Sequence, residues 1–197
     1  MSSRSPCKKR STSKKRLKFR RTFFRRPAVE LAQALIGAIL VRRVRGRELR
    51  ARIIETEAYI GPHDLASHAS KGRTGRTEIL FGPPGYAYVY LIYGMYDMLN
   101  IVASHKEDPQ CVLIRGALPL GGWKADLSGP GKLTRGMRIT RAQNGLDLTG
   151  DALFVLANPA HKPHVITTKR IGIDYAKEWK EALLRFVDAN QGECSPH

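Results

Sequence analysis

In residues 49–60, LRARIIETEAYI, apolar and polar side chains alternate from Leu49 to Ile53. Period-two alternation is the mark of a β-strand with one buried face. Gly46 joins this run to AILVRRV at 38–44, and the two read as an antiparallel pair. Further strands are predicted at 86–92, 96–103, 111–118, 153–157 and 183–187. Pro27 suits a first helical position, and Ala28, Leu31, Ala32 and Leu35 form an i, i+3, i+4, i+7 stripe that Gly37 would end. Short helices are predicted near 129–138, after Ser128, and near 174–182. No fixed-period repeat is present. A chain of 197 residues fills one core well. The pattern predicts an α+β single domain: a curved, mostly antiparallel β-sheet with flanking helices and a protruding β-hairpin.

Charge separates the body from what precedes it. Lys and Arg number 34 against 17 acids, a net of +17. Twelve of the bases and none of the acids fall in residues 1–26, so residues 27–197 carry 17 − 12 = +5. Residues 1–21 read as a disordered basic arm, residues 22–190 as the folded domain and residues 191–197 as a flexible tail. Such an arm is either a solvated tail or a contact for phosphates, and its composition also suits an organellar transit peptide. No run is long and apolar enough to span a membrane, and no secretory h-region opens the chain. Cys7, Cys111 and Cys194 are widely spaced and form no CxxC pair, which supports neither a disulfide framework nor a zinc knuckle. A reducing interior compartment fits best.

Two stretches carry chemistry. In the long strand, alternation places Leu49, Ala51, Ile53, Glu55, Glu57 and Tyr59 on one face, so an apolar face suddenly bears two carboxylates and a tyrosine. Breaks of this kind mark functional sites, and crowded carboxylates among apolar neighbours raise at least one pKa toward that of a general base. A pair of ion-paired structural glutamates is the alternative. The second stretch, YAYVYLIYGMYDMLNI at 86–101, holds five tyrosines in sixteen positions. Tyr86, Tyr88 and Tyr90 share a face, while Tyr93 and Tyr96 flank Gly94, a turn residue.

These segments, with TFFRRPAVELAQALIG, RIIETEAYIGPHDLASHASKGRT, CVLIRGALPL, SGPGKLT and RIGIDYAKEWKEALLRF, run in order from about residue 22 to 187. Together they resemble the alkyladenine (3-methyladenine) DNA glycosylases, hydrolases that remove alkylated and deaminated purines. The connection between ALPLGG and SGPGKL is shorter than in many members, and the arm and tail carry no family motif.

The resemblance implies a monofunctional hydrolase of N-glycosyl bonds that needs neither metal nor cofactor and leaves an abasic site. It implies Glu57 as the catalytic base, Arg115 and the backbone carbonyl of Ile171 as partners of the attacking water, and a supporting part for Glu55. Tyr59, His68, Tyr90 and Asn100 would enclose the flipped base, Asn100 by crowding the 2-amino group of guanine. Tyr93 would wedge into double-stranded DNA through the minor groove with Met95 beside it, and Lys132 would touch phosphate. Tyr86, Tyr88 and Tyr96 are left to packing. The implied protein is a monomer with no membrane partner, in the cytoplasm and nucleoid of a bacterium or the nucleus or an organelle of a eukaryote. A non-catalytic binder of damaged DNA with the same wedge and pocket is the competing reading. A basic RNA- or ribosome-associated protein would explain the charge alone.

Overall fold

The computed structural model describes residues 17–190. Its eight strands form one antiparallel sheet: β1 Ile39–Val44, β2 Arg47–Tyr59, β3 Ala87–Ile92, β4 Tyr96–Val102, β5 Cys111–Leu120, β6 Leu153–Leu156, β7 Val165–Thr168 and β8 Arg185–Asp188. The order along the sheet is β3-β4-β5-β2-β1-β6, with β8 paired to both β2 and β7. The thirteen-residue β2 organises the rest. β5 lies along Arg50–Tyr59, while β1 pairs with the first half of β2 and β8 with Glu55–Glu57. The sheet curls around this central strand, in keeping with the predicted α+β class.

Three helices, α1 Arg21–Phe24, α2 Ala28–Leu35 and α3 Pro130–Gly136, pack with the sheet. The stripe predicted for α2 is fully buried at Ala28, Leu31, Ala32 and Leu35. Each of its leucines contributes about 1.5–3 kcal/mol by leaving water. Pro27 precedes the helix as its cap residue, and Gly37 leaves it at φ +82°. Thr56 of β2 donates its hydroxyl to the carbonyl of Ala32, 2.9 Å away, one of the four carbonyls that a helix end leaves without a partner. Strand and helix are thus tied by hydrogen bonding as well as by packing.

A two-part irregularity crosses β2 and β5. Ile53 pairs with Ala117, Glu55 with Gly116 and Thr56 with Ile114. Ile54 in one strand and Arg115 in the other are left over, so a bulge in β2 is answered by a bulge in β5. Each bulge exchanges the faces of its strand. Ala51 and Ile53 lie in the main core, but beyond the bulge Thr56 and Ala58 face the helices; on β5, Ala117 and then Ile114 and Val112 do the same. The expectation that Glu55, Glu57 and Tyr59 continue the apolar face of Leu49, Ala51 and Ile53 is therefore corrected. The three residues do share a face, but the opposite one.

Residues 17–21, expected within the basic arm, are packed on the body. Phe19 donates its N–H to Val155 and stacks on Phe23, Lys18 pairs with Asp151, and Arg21 bonds Pro84 O and Asp147. The remainder of the expected arm and the tail from 191 lie outside the described residues. Alternation missed β7, which is four residues long and exposes Ile166. The helix expected at 174–182 is instead a 3-10 segment, Asp174–Glu181, kinked where Lys177 adopts φ +50°.

β3 and β4 form the hairpin anticipated from the tyrosine run, with Ile92 opposite Tyr96. Tyr93 and Gly94 at its turn have φ of +52° and +70°, and Met95 N–H closes on Ile92 O at 3.1 Å. Positive φ at both central residues matches the right-handed twist of the flanking strands. Glycine accepts this conformation freely, whereas a tyrosine there is strained.

Candidate active site

The face of the sheet opposite the helices holds a cavity of about 230 Å³. β3 contributes Tyr88, Tyr90 and Ile92; β4 contributes Met98 and Asn100; β5 contributes Cys111, Leu113 and Arg115; Tyr59 ends β2. The remaining wall comes from Ala66 and His68 on one connection, from Ile171, Gly172, Ile173 and Tyr175 on another, and from Pro130 at the start of α3. Tyr93 reaches the rim although it is 77 % exposed.

Glu57 lies behind this lining, its side chain fully buried. Tyr59 donates its hydroxyl to one carboxylate oxygen at 2.9 Å, and the N–H of Ile171 donates to the other at 2.9 Å. Arg115 Nε stands 3.4 Å from Glu57 Oε1 and donates at 2.9 Å to Glu55 Oε1, which also receives Arg185 at 2.7 Å. The guanidinium of Arg115, the residue left over in the β5 bulge, thus bridges two carboxylates that share a face of β2. Gly116 leaves the room this needs: a Cβ there would come within 3.3 Å of the Glu55 side chain. Burial pushes the Glu57 carboxyl above the usual carboxylate range, against the opposing pull of Arg115, the Ile171 N–H, the Tyr59 hydroxyl and Arg170. The same burial, with Glu57 beside it, drives the Tyr59 hydroxyl well above its ordinary value and so keeps it a proton donor.

The connection after β2 is shaped by its own sequence, GPHDLASH. Gly61 turns at φ +113°, Asp64 accepts the N–H of Ala66 at 3.0 Å, and the Ser67 hydroxyl caps the 3-10 turn that His68 begins. His68 then meets the Tyr90 ring edge-on at 4.5 Å, and its Nδ1 lies 2.9 Å from the Tyr88 hydroxyl. Burial, helped by Arg76 and Lys71, lowers its pKa to about 4, so the imidazole is neutral near pH 7. Asn100, buried in the floor, donates to the carbonyls of Tyr88 and Met98 at 3.3 and 3.5 Å, while Cys111 Sγ lies 3.8 Å from its Oδ1.

The cavity thus brings together Tyr59, His68, Tyr90, Asn100, Arg115, Ile171 and Tyr93, with Glu57 immediately behind. Ile171 meets Glu57 through its N–H, where sequence reasoning had placed only its carbonyl near the chemistry. Met95 is 67 % exposed beside Tyr93 and does not line the cavity. Lys132 is also outside it, in an exposed ion pair with Asp126 at 2.8 Å, although its neighbour Pro130 is in the wall. Sequence reasoning left Tyr88 to packing, yet it lines the cavity and orients His68; its shared face with Tyr90 was the available signal. Tyr86 lies under Arg21 at 4.7 Å, and Tyr96 covers Gly131. Asp64, Arg170 and Tyr175 were not singled out: Asp64 and Arg170 lie in loops, and Tyr175 lies in the stretch expected as a helix that is a kinked 3-10 segment.

Among the described residues no cluster of three His, Cys, Asp or Glu could hold a metal ion, and no helix is long and apolar enough to cross a membrane. The sequence model of the family described as Methylpurine-DNA glycosylase (MPG) matches residues 22–192. Three relatives carry the name "Putative 3-methyladenine DNA glycosylase". The protein of Alkaliphilus oremlandii (strain OhILAs) is 44 % identical over 86 % of this chain and 95 % of its own. That of Methanocella arvoryzae is 45 % identical over 86 % and 92 %. That of Legionella pneumophila (strain Lens) is 46 % identical over 86 % and 93 %.

Proposed function

The chain belongs to the methylpurine-DNA glycosylase family, whose activity is hydrolysis of N-glycosyl bonds in DNA, and on that premise we propose that Glu57 is its catalytic base, acting on an alkylated or deaminated purine swung out of the duplex. The observation that carries this reading is the buried Glu57 carboxylate, held by Tyr59 and Ile171 and flanked by Arg115, at the back of a ring-lined cavity. At about 230 Å³ the cavity is smaller than the ~300–1,000 Å³ typical of drug-sized ligands and suits one planar base.

Hydrolysis passes through an oxocarbenium-like sugar, which needs an aligned water and negative charge close by. The charged Glu57 carboxylate stabilises the positive charge that develops on the sugar as the C1′–N bond to the departing base breaks, and it takes the water's proton as that water bonds to C1′. Its pKa, raised by burial, makes it a stronger base than a solvated carboxylate, while Arg115 opposes the rise and favours the charged form. The carbonyl of Ile171 is the second acceptor for that water. Abasic-site formation proceeds without strand cleavage, since no lysine is assigned as nucleophile.

Extruding a nucleotide costs a few kcal/mol. Stacking on Tyr59, Tyr90 and the neutral ring of His68 returns roughly 1–3 kcal/mol per aromatic contact, most for an electron-poor lesion. Tyr93 fills the gap from the minor groove, Met95 beside it, both exposed at the turn between β3 and β4. Asn100, hydrogen-bonded to two carbonyls, is too rigid to yield and so excludes a purine bearing a 2-amino group. Lys132 reaches phosphate by leaving Asp126, an exchange that an exposed ion pair worth about 0–1 kcal/mol permits. The protein acts as a monomer, wherever its host keeps DNA.

The test is incubation of the purified protein, in chelator, with duplexes carrying 3-methyladenine, 7-methylguanine, hypoxanthine or etheno-adenine, followed by alkali. Glu57→Gln should form no abasic sites yet bind the lesion. Undiminished cleavage by that variant refutes the assignment, and lesion binding without cleavage by the wild type would make the protein a non-catalytic damage binder.

A further inference from the structure

Arg170 and Asp64 form an ion pair whose two side chains are both fully buried. The contact is bidentate, at 2.6 and 2.8 Å. Arg170 Nη1 also donates at 3.0 Å to the carbonyl of Ala58, the residue between Glu57 and Tyr59, and the guanidinium carbon lies 4.8 Å from the centre of the Tyr59 ring. The next residue along the chain from Arg170 is Ile171, whose N–H holds Glu57. Asp64 for its part accepts from Ile60 N–H at 3.3 Å and Ala66 N–H at 3.0 Å, tying down the connection that carries His68. We propose that the Arg170–Asp64 pair is the positioning device of the base: it locks the Tyr59 ring from behind and the Ile171 N–H from the side, and so aims the Glu57 carboxylate.

Stability alone is a poor reason for this pair. Removing two charges from water is expensive, and well-packed apolar residues of similar volume commonly serve a core as well or better. Here Arg170 Nε is buried without a partner, so the pair is not optimised as an ion pair either. What apolar residues could not supply is direction: a planar fork that fixes a carboxylate, a backbone carbonyl and an aromatic face at once. Shells of this kind behind a reacting group set its orientation and its charge state together.

The inference rests on Glu57 being the base, and the experiment separates the two. The replacement Asp64→Leu/Arg170→Met removes both charges together, so neither ion is left buried and unpaired. Single-turnover excision is measured from acid to alkaline pH, with lesion-duplex affinity and thermal unfolding alongside. The groups facing Glu57 are Tyr59 from β2, Arg115 from β5, and Arg170 with the Ile171 N–H from the 169–173 segment; Glu55 and Arg185 stand behind Arg115. Losing the Arg170 cation leaves Arg115, the Ile171 N–H and the Tyr59 hydroxyl with less to set against burial, so the acid limb of the profile should move to higher pH. The rate on the plateau should fall about 10- to 100-fold while affinity changes little. A folded variant with wild-type rate and limb overturns the proposal, as does a loss confined to affinity. If the double variant does not fold, Arg170→Lys decides, since it keeps the cation and loses the fork: a slower plateau with affinity held supports positioning, and a wild-type plateau overturns it. Glu57→Gln is run in parallel; activity there would sink the base assignment itself, whereas a dead Glu57→Gln beside a normal double variant would sink only the positioning role.

Discussion

Replacing Tyr93 by asparagine should leave the fold about as stable as before and cripple recognition of damage. Left-handed backbone costs a non-glycine residue about 1–2 kcal/mol, and Tyr93 carries φ +52°. Asparagine bears that conformation most cheaply, and Asn-Gly is the favoured pair for a turn with both central φ values positive. The substitution should recover about 1 kcal/mol. Against this stands lost burial. With Tyr93 77 % exposed, about a quarter of its ~200 Å² is covered, so ~50 Å² at ~25 cal/mol per Å² gives at most about 1.2 kcal/mol. The two nearly cancel, and the melting temperature should shift by less than about 4 °C. An aromatic truncated in a core would cost about 3–5 kcal/mol. Binding to a lesion-bearing duplex should weaken by roughly 1–3 kcal/mol, or about 5- to 150-fold, while affinity for the free damaged nucleoside holds. Calorimetry and fluorescence anisotropy measure the two quantities. A melting temperature more than about 8 °C lower would show that the ring is a structural pillar, and unchanged duplex affinity would remove its wedge role.

Further outcomes follow from the same structure. Because the Glu57 carboxyl is raised in the fold, the native state binds its proton more tightly than the unfolded chain. Stability is therefore lost as pH climbs from the free carboxylate value of about 4.3 through the folded one, and Glu57→Gln should melt above wild type at pH 7–8, the gap closing in acid. His68, held near pKa 4, should show its imidazole proton shifts titrating there and not at about 6.5; its contribution to stability is lost as pH falls below that free value, and a titration midpoint above 6 would contradict the burial argument. Gly85→Ala places a Cβ 2.7 Å from the Phe24 ring at φ +80°, and should cost about 2–4 kcal/mol in urea unfolding. Deleting residues 1–16, with seven Lys or Arg, should flatten the dependence of log Kd on log salt by up to about 0.9 per charge engaged and leave single-turnover excision at saturating enzyme unchanged.

The long strands, the α2 stripe and the hairpin were legible because each repeats a period over enough residues to exceed noise. β7 was not, being four residues with its apolar Ile166 turned outward. Nor was the start of the body: Lys18 and Arg21 read as part of a basic tail, and only tertiary partners such as Asp151 and Asp147 show otherwise. In the site, Glu57 and Tyr59 were found by a broken pattern, although the break proved to be a bulge and not a polar intrusion on the core face. Arg115, Asn100 and Ile171 entered through family motifs, since each is unremarkable alone. Asp64 and Arg170 stand 106 positions apart and sit in loops, where no periodicity exists to reveal that they meet.

The paired bulges carry a consequence for how such a chain can vary. Their slips cancel, so neighbouring strands pair as though neither were there. Remove Ile54, and the slip in β5 goes unanswered: along one half of the strand, odd and even positions would trade sides. Glu57 would be driven under α2, and Thr56 and Ala58 would floor the cavity. A single deletion that spares every residue of the site would thus turn it inside out. The chemistry of this sheet depends on parity, on how many residues precede the carboxylate as much as on which they are.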